Sequence, residues 1–202
     1  MSDKKTIAID IDDVIADSTE SMRLLVNERT GANLTQDHYR QAGEYRRYYE
    51  RVWREHGLAD QLDFNKLYAE MGIDQSNIPL LSGADSAISE LSKKFHIVIV
   101  TARDNFLEVA TRKWFKQRFD NENVELYFCD NQTDSRTKGQ LCKELGAELL
   151  IDDNPGHCQS ALDEGVKAIL FGSYGWHTFV PEGVVNCKTW AEVQEYITNG
   201  TR

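Results

Sequence analysis

Short runs of apolar residues alternate with segments of helical periodicity along most of the chain. Five runs read as strands, at residues 6–9, 97–100, 125–128, 149–151 and 166–171. The segments between them place apolar residues at helical spacing, as in Ala84, Ala87, Ile88 and Leu91. Continuously apolar strands separated by helices are typical of a parallel sheet covered on both faces. The sequence therefore predicts an α/β fold built on a doubly wound parallel sheet.

Residues 18–78 interrupt this alternation. A helix is predicted over 18–31, where Gly31 provides the stop signal. Residues 32–78 are rich in Tyr, Arg, Glu and Gln and contain no convincing strand pattern. We therefore predict a small inserted α-helical cap at 18–78, with residues 1–17 and 79–202 forming the catalytic core.

Bulk properties narrow the classes of partner. The 202 residues carry a formal net charge of −10, which argues against a broad nucleic-acid surface because duplex binding needs clustered Lys and Arg. No apolar stretch is long enough for a membrane span, and the N-terminus lacks a signal-peptide apolar region, so a cytoplasmic location is expected. A small anionic substrate and a homo-oligomer are both compatible with the sequence.

Polar and charged residues follow three of the predicted strands. Asp10 and Asp12 follow the first, Thr101, Ala102 and Arg103 the second in chain order, and Asp152 and Asp153 the fourth, while Lys138 begins the helix before the fourth strand. Ligands bind at the carboxyl ends of parallel strands, so these groups are expected to share one site. Acids crowded against an aliphatic strand indicate a bound cation, and oxygen ligands favour Mg²⁺ or Ca²⁺ over Zn²⁺.

Each of these candidate site residues has an ordinary structural interpretation when it is taken alone. The Asp10 and Asp12 pair could form a calcium loop, although the EF-hand pattern requires a preceding helix. Asp152 and Asp153 could cap a helix, Thr101 could simply end a strand, and Lys138 could be a solvated surface residue. Their joint order along the chain favours a common site.

This ordered set resembles the haloacid dehalogenase-like (HAD) phosphohydrolases. Asp10, Asp12 and Val14 match the first motif, Thr101 the second, Lys138 the third, and Asp152 with Asp153 the fourth. More narrowly, five segments look like the 5′(3′)-deoxyribonucleotidase branch, which also carries a small helical cap; they are residues 10–17, 81–83, 101–103, 111–115 and 151–155. The resemblance implies a Rossmann-like core with the cap inserted after the first motif.

The resemblance also implies a chemistry. Asp10 would be the nucleophile that forms an aspartyl-phosphate, and Asp12 would protonate the leaving alkoxide and later activate water. Mg²⁺ would be held by the Asp10 side chain, the Asp12 backbone carbonyl and one or both of Asp152 and Asp153. The substrate phosphate would be bound by Thr101, Ala102, Arg103 and Lys138. An acid at position 12 argues against dehalogenase chemistry, which has no alkoxide to protonate.

Two residues depart from the family pattern. Position 13 is Asp where Gly is common, and position 154 is Asn where nucleotidase relatives often have Arg. The first adds negative charge near the predicted metal, and the second removes a phosphate contact.

The function predicted is that of a magnesium-dependent phosphomonoesterase acting on a small phosphate monoester, a nucleoside monophosphate. The aromatic residues of the insert could stack on a base or pack its core; they are Tyr39, Tyr45, Tyr48, Tyr49 and Trp53. The alternatives are a phosphatase for sugar phosphates or nucleic-acid 3′-phosphate ends, and a non-catalytic protein that keeps the metal and phosphate site.

Overall fold

A six-stranded parallel sheet forms the centre of the protein. The computed structural model describes residues 4–119, 125–129, 131 and 134–199. The strands are β1 (Thr6–Ile9), β2 (His96–Thr101), β3 (Glu125–Phe128), β4 (Ala147–Asp152), β5 (Lys167–Phe171) and β6 (Val185–Cys187). Their order is β3-β2-β1-β4-β5-β6, and every neighbouring pair is parallel. The predicted α/β fold with a parallel sheet is confirmed.

Eight α-helices accompany the sheet in the described ranges. They are α1 (Ser18–Thr30), α2 (Tyr48–Glu55), α3 (Phe64–Ile73), α4 (Ala84–Lys94), α5 (Glu108–Arg118), α6 (Lys138–Glu144), α7 (Pro155–Asp163) and α8 (Trp190–Asn199). Three short 3₁₀ helices lie at Gln36–Arg40, Ala59–Gln61 and Asn105–Leu107.

Alternate side chains of the central strands enter opposite apolar layers, as the pleat requires. Ile7 and Ile9 of β1 pack in one cluster with residues of α4, α5 and α8. Ala8, between them, packs in a second cluster with residues of α6 and α7. Both faces of the sheet are therefore covered, which is why β1, β2, β4 and β5 carry nearly continuous apolar runs.

The segment 18–78 has a third apolar cluster of its own. All of its residues are described, and they form helices and turns but no strand. α1 ends at Gly31, whose φ of 71° is the left-handed conformation that terminates many helices. Met22, Trp53 and Leu67 pack in this cluster together with Trp176, which comes from the loop after β5. The division of the chain at residues 17 and 78 stays a prediction.

One strand was not predicted. β6 has three residues, and Cys187 is the buried one, so it carries no apolar run. Among the described residues, no helix combines the length and the hydrophobicity needed to cross a bilayer.

Candidate active site

Three buried carboxylates meet at the carboxyl edge of the sheet. Asp10 follows β1, Asp152 ends β4, and Asp153 is the next residue. One oxygen from each lies within 4.8 Å of the others. The ammonium group of Lys138 contacts Asp10 Oδ1 at 2.7 Å and Asp152 Oδ2 at 2.6 Å. The structure thus brings together four of the predicted site residues.

Lys138 reaches this position because of how α6 begins and packs. Thr137 caps the helix by accepting a hydrogen bond from the Gln140 amide, and the Gln140 side chain accepts from the Thr137 amide in return. Gly139 lies so close to the Ser160 carbonyl of α7 that any side chain at this position would overlap it. The Lys138 side chain is 1% exposed, so the alternative that Lys138 is a solvated surface residue is wrong.

The surroundings of these three acids shift their pKa values in different directions. Burial raises the pKa of Asp10 to about 6, although Lys138 opposes the rise. Burial and the neighbouring carboxylates Asp152 and Asp10 raise the pKa of Asp153 well above its usual value. Burial alone would also raise the pKa of Asp152, but Lys138 and His157 outweigh it, so that pKa lies below its usual value.

The donor set fits a divalent cation. All three groups offer hard carboxylate oxygens; when ionised together they carry three negative charges, of which Lys138 offsets one. The remaining charge is buried, where an uncompensated carboxylate is costly. Mg²⁺ matches both the oxygen ligands and the excess negative charge.

Asp12 lies apart from this carboxylate group and is paired with Arg103. Arg103 donates from Nε to Asp12 Oδ2 at 2.8 Å and from Nη2 to Oδ1 at 2.7 Å, which is a bidentate ion pair. Ser18 Oγ donates to Asp12 Oδ1 at 2.5 Å. Burial would raise the pKa of Asp12, but Arg103 and Ser18 lower it below its usual value. The Asp12 carboxylate is thus held as an anion.

The last residue of β2 and the segment after it contribute to the same site. Thr101 is fully buried, and its hydroxyl accepts a hydrogen bond from the Arg103 amide at 3.2 Å. Ala102 lines the adjoining cavity. The Arg103 guanidinium also contacts Gln75 and Thr111, which the sequence analysis did not identify. The roles of Thr101, Ala102 and Arg103 as phosphate ligands stay predictions.

A cavity of about 710 Å³ adjoins the carboxylates. Its lining includes Asp10, Asp12, Asp153 and Lys138 on one hand, and Tyr45, Tyr48, Tyr49, Phe64 and Tyr68 on the other. Phe64 stacks on Tyr49 with ring centroids 5.9 Å apart and on Tyr68 at 5.8 Å. Tyr39 and Trp53 instead pack in the third apolar cluster, where Trp53 Nε1 donates to the Tyr39 hydroxyl.

The loop after β5 joins the insert to the carboxylates. Trp176 Nε1 donates to Asp153 Oδ2 at 2.9 Å, and the indole packs against Tyr48 at 5.1 Å between ring centroids. The Gly43 amide donates to the Gly175 carbonyl at 3.0 Å. This loop therefore contacts both the insert and a candidate metal ligand.

Several solved structures with a similar architecture are described as HAD-superfamily hydrolases. A HAD-superfamily hydrolase from Ehrlichia chaffeensis has a TM-score of 0.57 and 16% identity, with both chains covered in full. A magnesium-bound HAD hydrolase from Bacillus subtilis has a TM-score of 0.62 and 15% identity over 98% of this chain and all of the other. A protein from Haemophilus somnus, described as a predicted phosphoglycolate phosphatase, has a TM-score of 0.59 and 14% identity over both whole chains.

The chain has the HAD fold. No protein-family model matches the sequence, and no curated protein matches it either. In this HAD fold a strand, β1, precedes Asp10, so the helix required for an EF-hand is missing there.

The two departures from the HAD pattern have local structural roles. Asp13 adopts a left-handed φ of 56°, which Asp tolerates better than most residues. Its carboxylate accepts hydrogen bonds from the amide and hydroxyl of Thr19 at the start of α1. Asn154 caps α7 by accepting a hydrogen bond from the Gly156 amide at 2.8 Å. The cap of this helix is therefore Asn154 and not the acidic pair Asp152 and Asp153.

Proposed function

We propose that this protein is a magnesium-dependent phosphomonoesterase that acts through an aspartyl-phosphate at Asp10. The observation that carries the proposal is the buried contact of Lys138 with Asp10 and Asp152, with Asp153 within reach of the same point. Lys138 keeps Asp10 anionic in a buried site, which a carboxylate nucleophile requires. The similarity of the fold to HAD hydrolases, including one described as a predicted phosphoglycolate phosphatase, supports the same reaction class.

The residues divide the reaction into two displacements. An Asp10 carboxylate oxygen bonds to phosphorus while the bond from phosphorus to the ester oxygen breaks, and Asp12 gives its proton to the departing oxygen. Asp12 then takes a proton from water, which attacks phosphorus, releases phosphate and restores Asp10. Asp10, Asp152, Asp153 and the Asp12 carbonyl would hold Mg²⁺, which neutralises charge between the carboxylate nucleophile and the phosphate.

Asp12 must gain a proton before it can act as the acid. Its ion pair with Arg103 favours the anion. A phosphate dianion that enters beside Asp12 disfavours a second negative charge there. Substrate binding thus raises the proton affinity of Asp12 at the moment when its proton is needed.

We propose a nucleoside monophosphate as the substrate, on the size and lining of the cavity. About 710 Å³ is far more room than a small acid such as glycolate requires. A base in this cavity would lie against aromatic side chains, among them Tyr49, Phe64 and Tyr68.

The test is phosphate release from a panel of nucleotides, sugar phosphates and 3′-phosphorylated oligonucleotides. The wild type, Asp10→Asn and Asp85→Asn, an exposed control in α4, are compared with Mg²⁺ and with EDTA. We expect release by the wild type and the control with Mg²⁺ alone, and the highest kcat/KM for a nucleoside monophosphate. Release no greater than that of Asp10→Asn would favour the non-catalytic alternative. A sugar phosphate with the highest kcat/KM would refute the substrate assignment.

A further inference from the structure

A buried glutamine lies where the chain returns from α3 to the core. Gln75 is 3% exposed and makes three hydrogen bonds through its amide group. Its Oε1 accepts from Arg103 Nη1 at 2.7 Å, and its Nε2 donates to Thr111 Oγ1 at 3.0 Å and to the Gly72 carbonyl of α3 at 2.8 Å. Gln75 therefore links α3, α5 and Arg103.

Arg103 connects this glutamine to Asp12. One edge of its guanidinium, Nε and Nη2, holds both Asp12 oxygens, while Nη1 donates to Gln75 and Thr111. A guanidinium is a rigid planar fork, so fixing Nη1 also fixes the plane of the other two nitrogens. The orientation of the Asp12 carboxylate follows from that plane.

We propose that Gln75 is a positioning residue for proton transfer, acting through Arg103 on Asp12. Because Gln75 follows Asp74, the C-cap of α3, and contacts Gly72 in the last turn of that helix, Asp12 is aligned when α3 is docked against the core. The inference rests on the proposed function, in which Asp12 protonates the leaving oxygen.

A purely structural role predicts a different pattern of defects. If Gln75 only satisfies buried polar groups, its loss weakens folding and lowers turnover of every substrate alike. If Gln75 positions Asp12 as the acid, its replacement lowers turnover mainly for substrates whose leaving oxygen needs a proton. An alkyl phosphate has such a leaving group, whereas 4-nitrophenyl phosphate releases a stable phenolate that leaves without one.

The experiment compares kcat/KM for a nucleoside 5′-monophosphate and for 4-nitrophenyl phosphate in Gln75→Met. The parameter kcat/KM reports the first displacement, in which the leaving group departs. We expect a loss of roughly 10-fold or more with the nucleotide and less than about twofold with 4-nitrophenyl phosphate, since general acid catalysis contributes about 10²–10⁴-fold when complete. Asp12→Asn is the reference and should show the same selectivity, more strongly.

The matched control is Trp114→Phe. Trp114 Nε1 donates to the Ile78 carbonyl at 3.0 Å, so this variant loses a buried hydrogen bond to the same returning segment without touching Arg103. It should lower kcat/KM for both substrates to a similar degree. Thermal unfolding of each variant is measured in parallel.

Thr111→Val is the second variant and decides the question if Gln75→Met does not fold. It removes the hydroxyl contact to Arg103 Nη1 and should give the same selectivity to a smaller degree. Equal losses on both substrates, or no loss on either, would overturn the inference. If Asp12→Asn shows a selective loss but Gln75→Met and Thr111→Val do not, only the role of Gln75 is refuted and the proposed function stands. An inactive wild type would refute the proposed function itself.

Discussion

Replacing Lys138 with Met should strongly destabilise the metal-free protein. The side chain is 1% exposed and contacts two buried carboxylates at 2.7 and 2.6 Å. Methionine fills a similar volume but leaves Asp10 and Asp152 without their ammonium partner. Removing one partner of a buried ion pair costs about 3–5 kcal/mol. We therefore expect a loss of at least about 3 kcal/mol at neutral pH, a large share of the roughly 5–15 kcal/mol of a typical domain.

The assay is urea unfolding in EDTA, followed by tryptophan fluorescence. Lys143→Met in the same helix is the matched control, because Lys143 pairs with Glu164 at 2.8 Å but is 64% exposed. Such a surface pair contributes about 1 kcal/mol or less. Mg²⁺ should recover more stability in Lys138→Met than in the wild type, since the carboxylates then lack the competing ammonium. A loss within about 1 kcal/mol of the control would refute the charge balance described for this site.

Three further outcomes are expected. Gly139→Ala should lower the free energy of unfolding by at least about 1–3 kcal/mol, measured by denaturant, because its methyl group would overlap the Ser160 carbonyl; unchanged stability would contradict the close contact of α6 with α7. Gly175→Ala should speed limited proteolysis within residues 18–78, because its methyl group would overlap the Tyr48 hydroxyl; an unchanged cleavage rate would contradict that contact. In EDTA, the pKa of Asp10 is raised from 3.8 to about 6 in the folded state, so its contribution to stability falls as pH rises from about 4 to about 6. Unfolding free energies across this range should show the stability of Asp10→Asn rising relative to the wild type, and a constant difference would contradict the raised pKa.

Local sequence signals were sufficient for most of the fold. The runs at β1, β2, β4 and β5 are apolar on both faces, which identifies them as strands of a covered parallel sheet. β6 was not predicted because its burial depends on β5 beside it and not on its own composition. Segments whose structure is set by their neighbours leave little local pattern.

The candidate site divides in the same way. Asp10, Lys138, Asp152 and Asp153 could be grouped because each occupies a characteristic place relative to a strand or helix. Gln75 could not, since a single glutamine in a connecting segment has no periodicity or spacing that indicates burial. Its partners Arg103 and Thr111 are 28 and 36 residues away along the chain. Such a contact depends on the docking of α3 against the core, which no local pattern encodes.

The most direct test of the account is detection of a phosphoryl group on Asp10 during turnover. Asp12→Asn should accumulate this intermediate from 4-nitrophenyl phosphate, because the leaving group needs no acid but the attacking water lacks its base. We predict that acid quenching followed by peptide mass spectrometry finds one phosphoryl group on Asp10, with hydroxylamine removing it. Turnover by the wild type with no phosphoryl group on Asp10 in either protein would contradict the account.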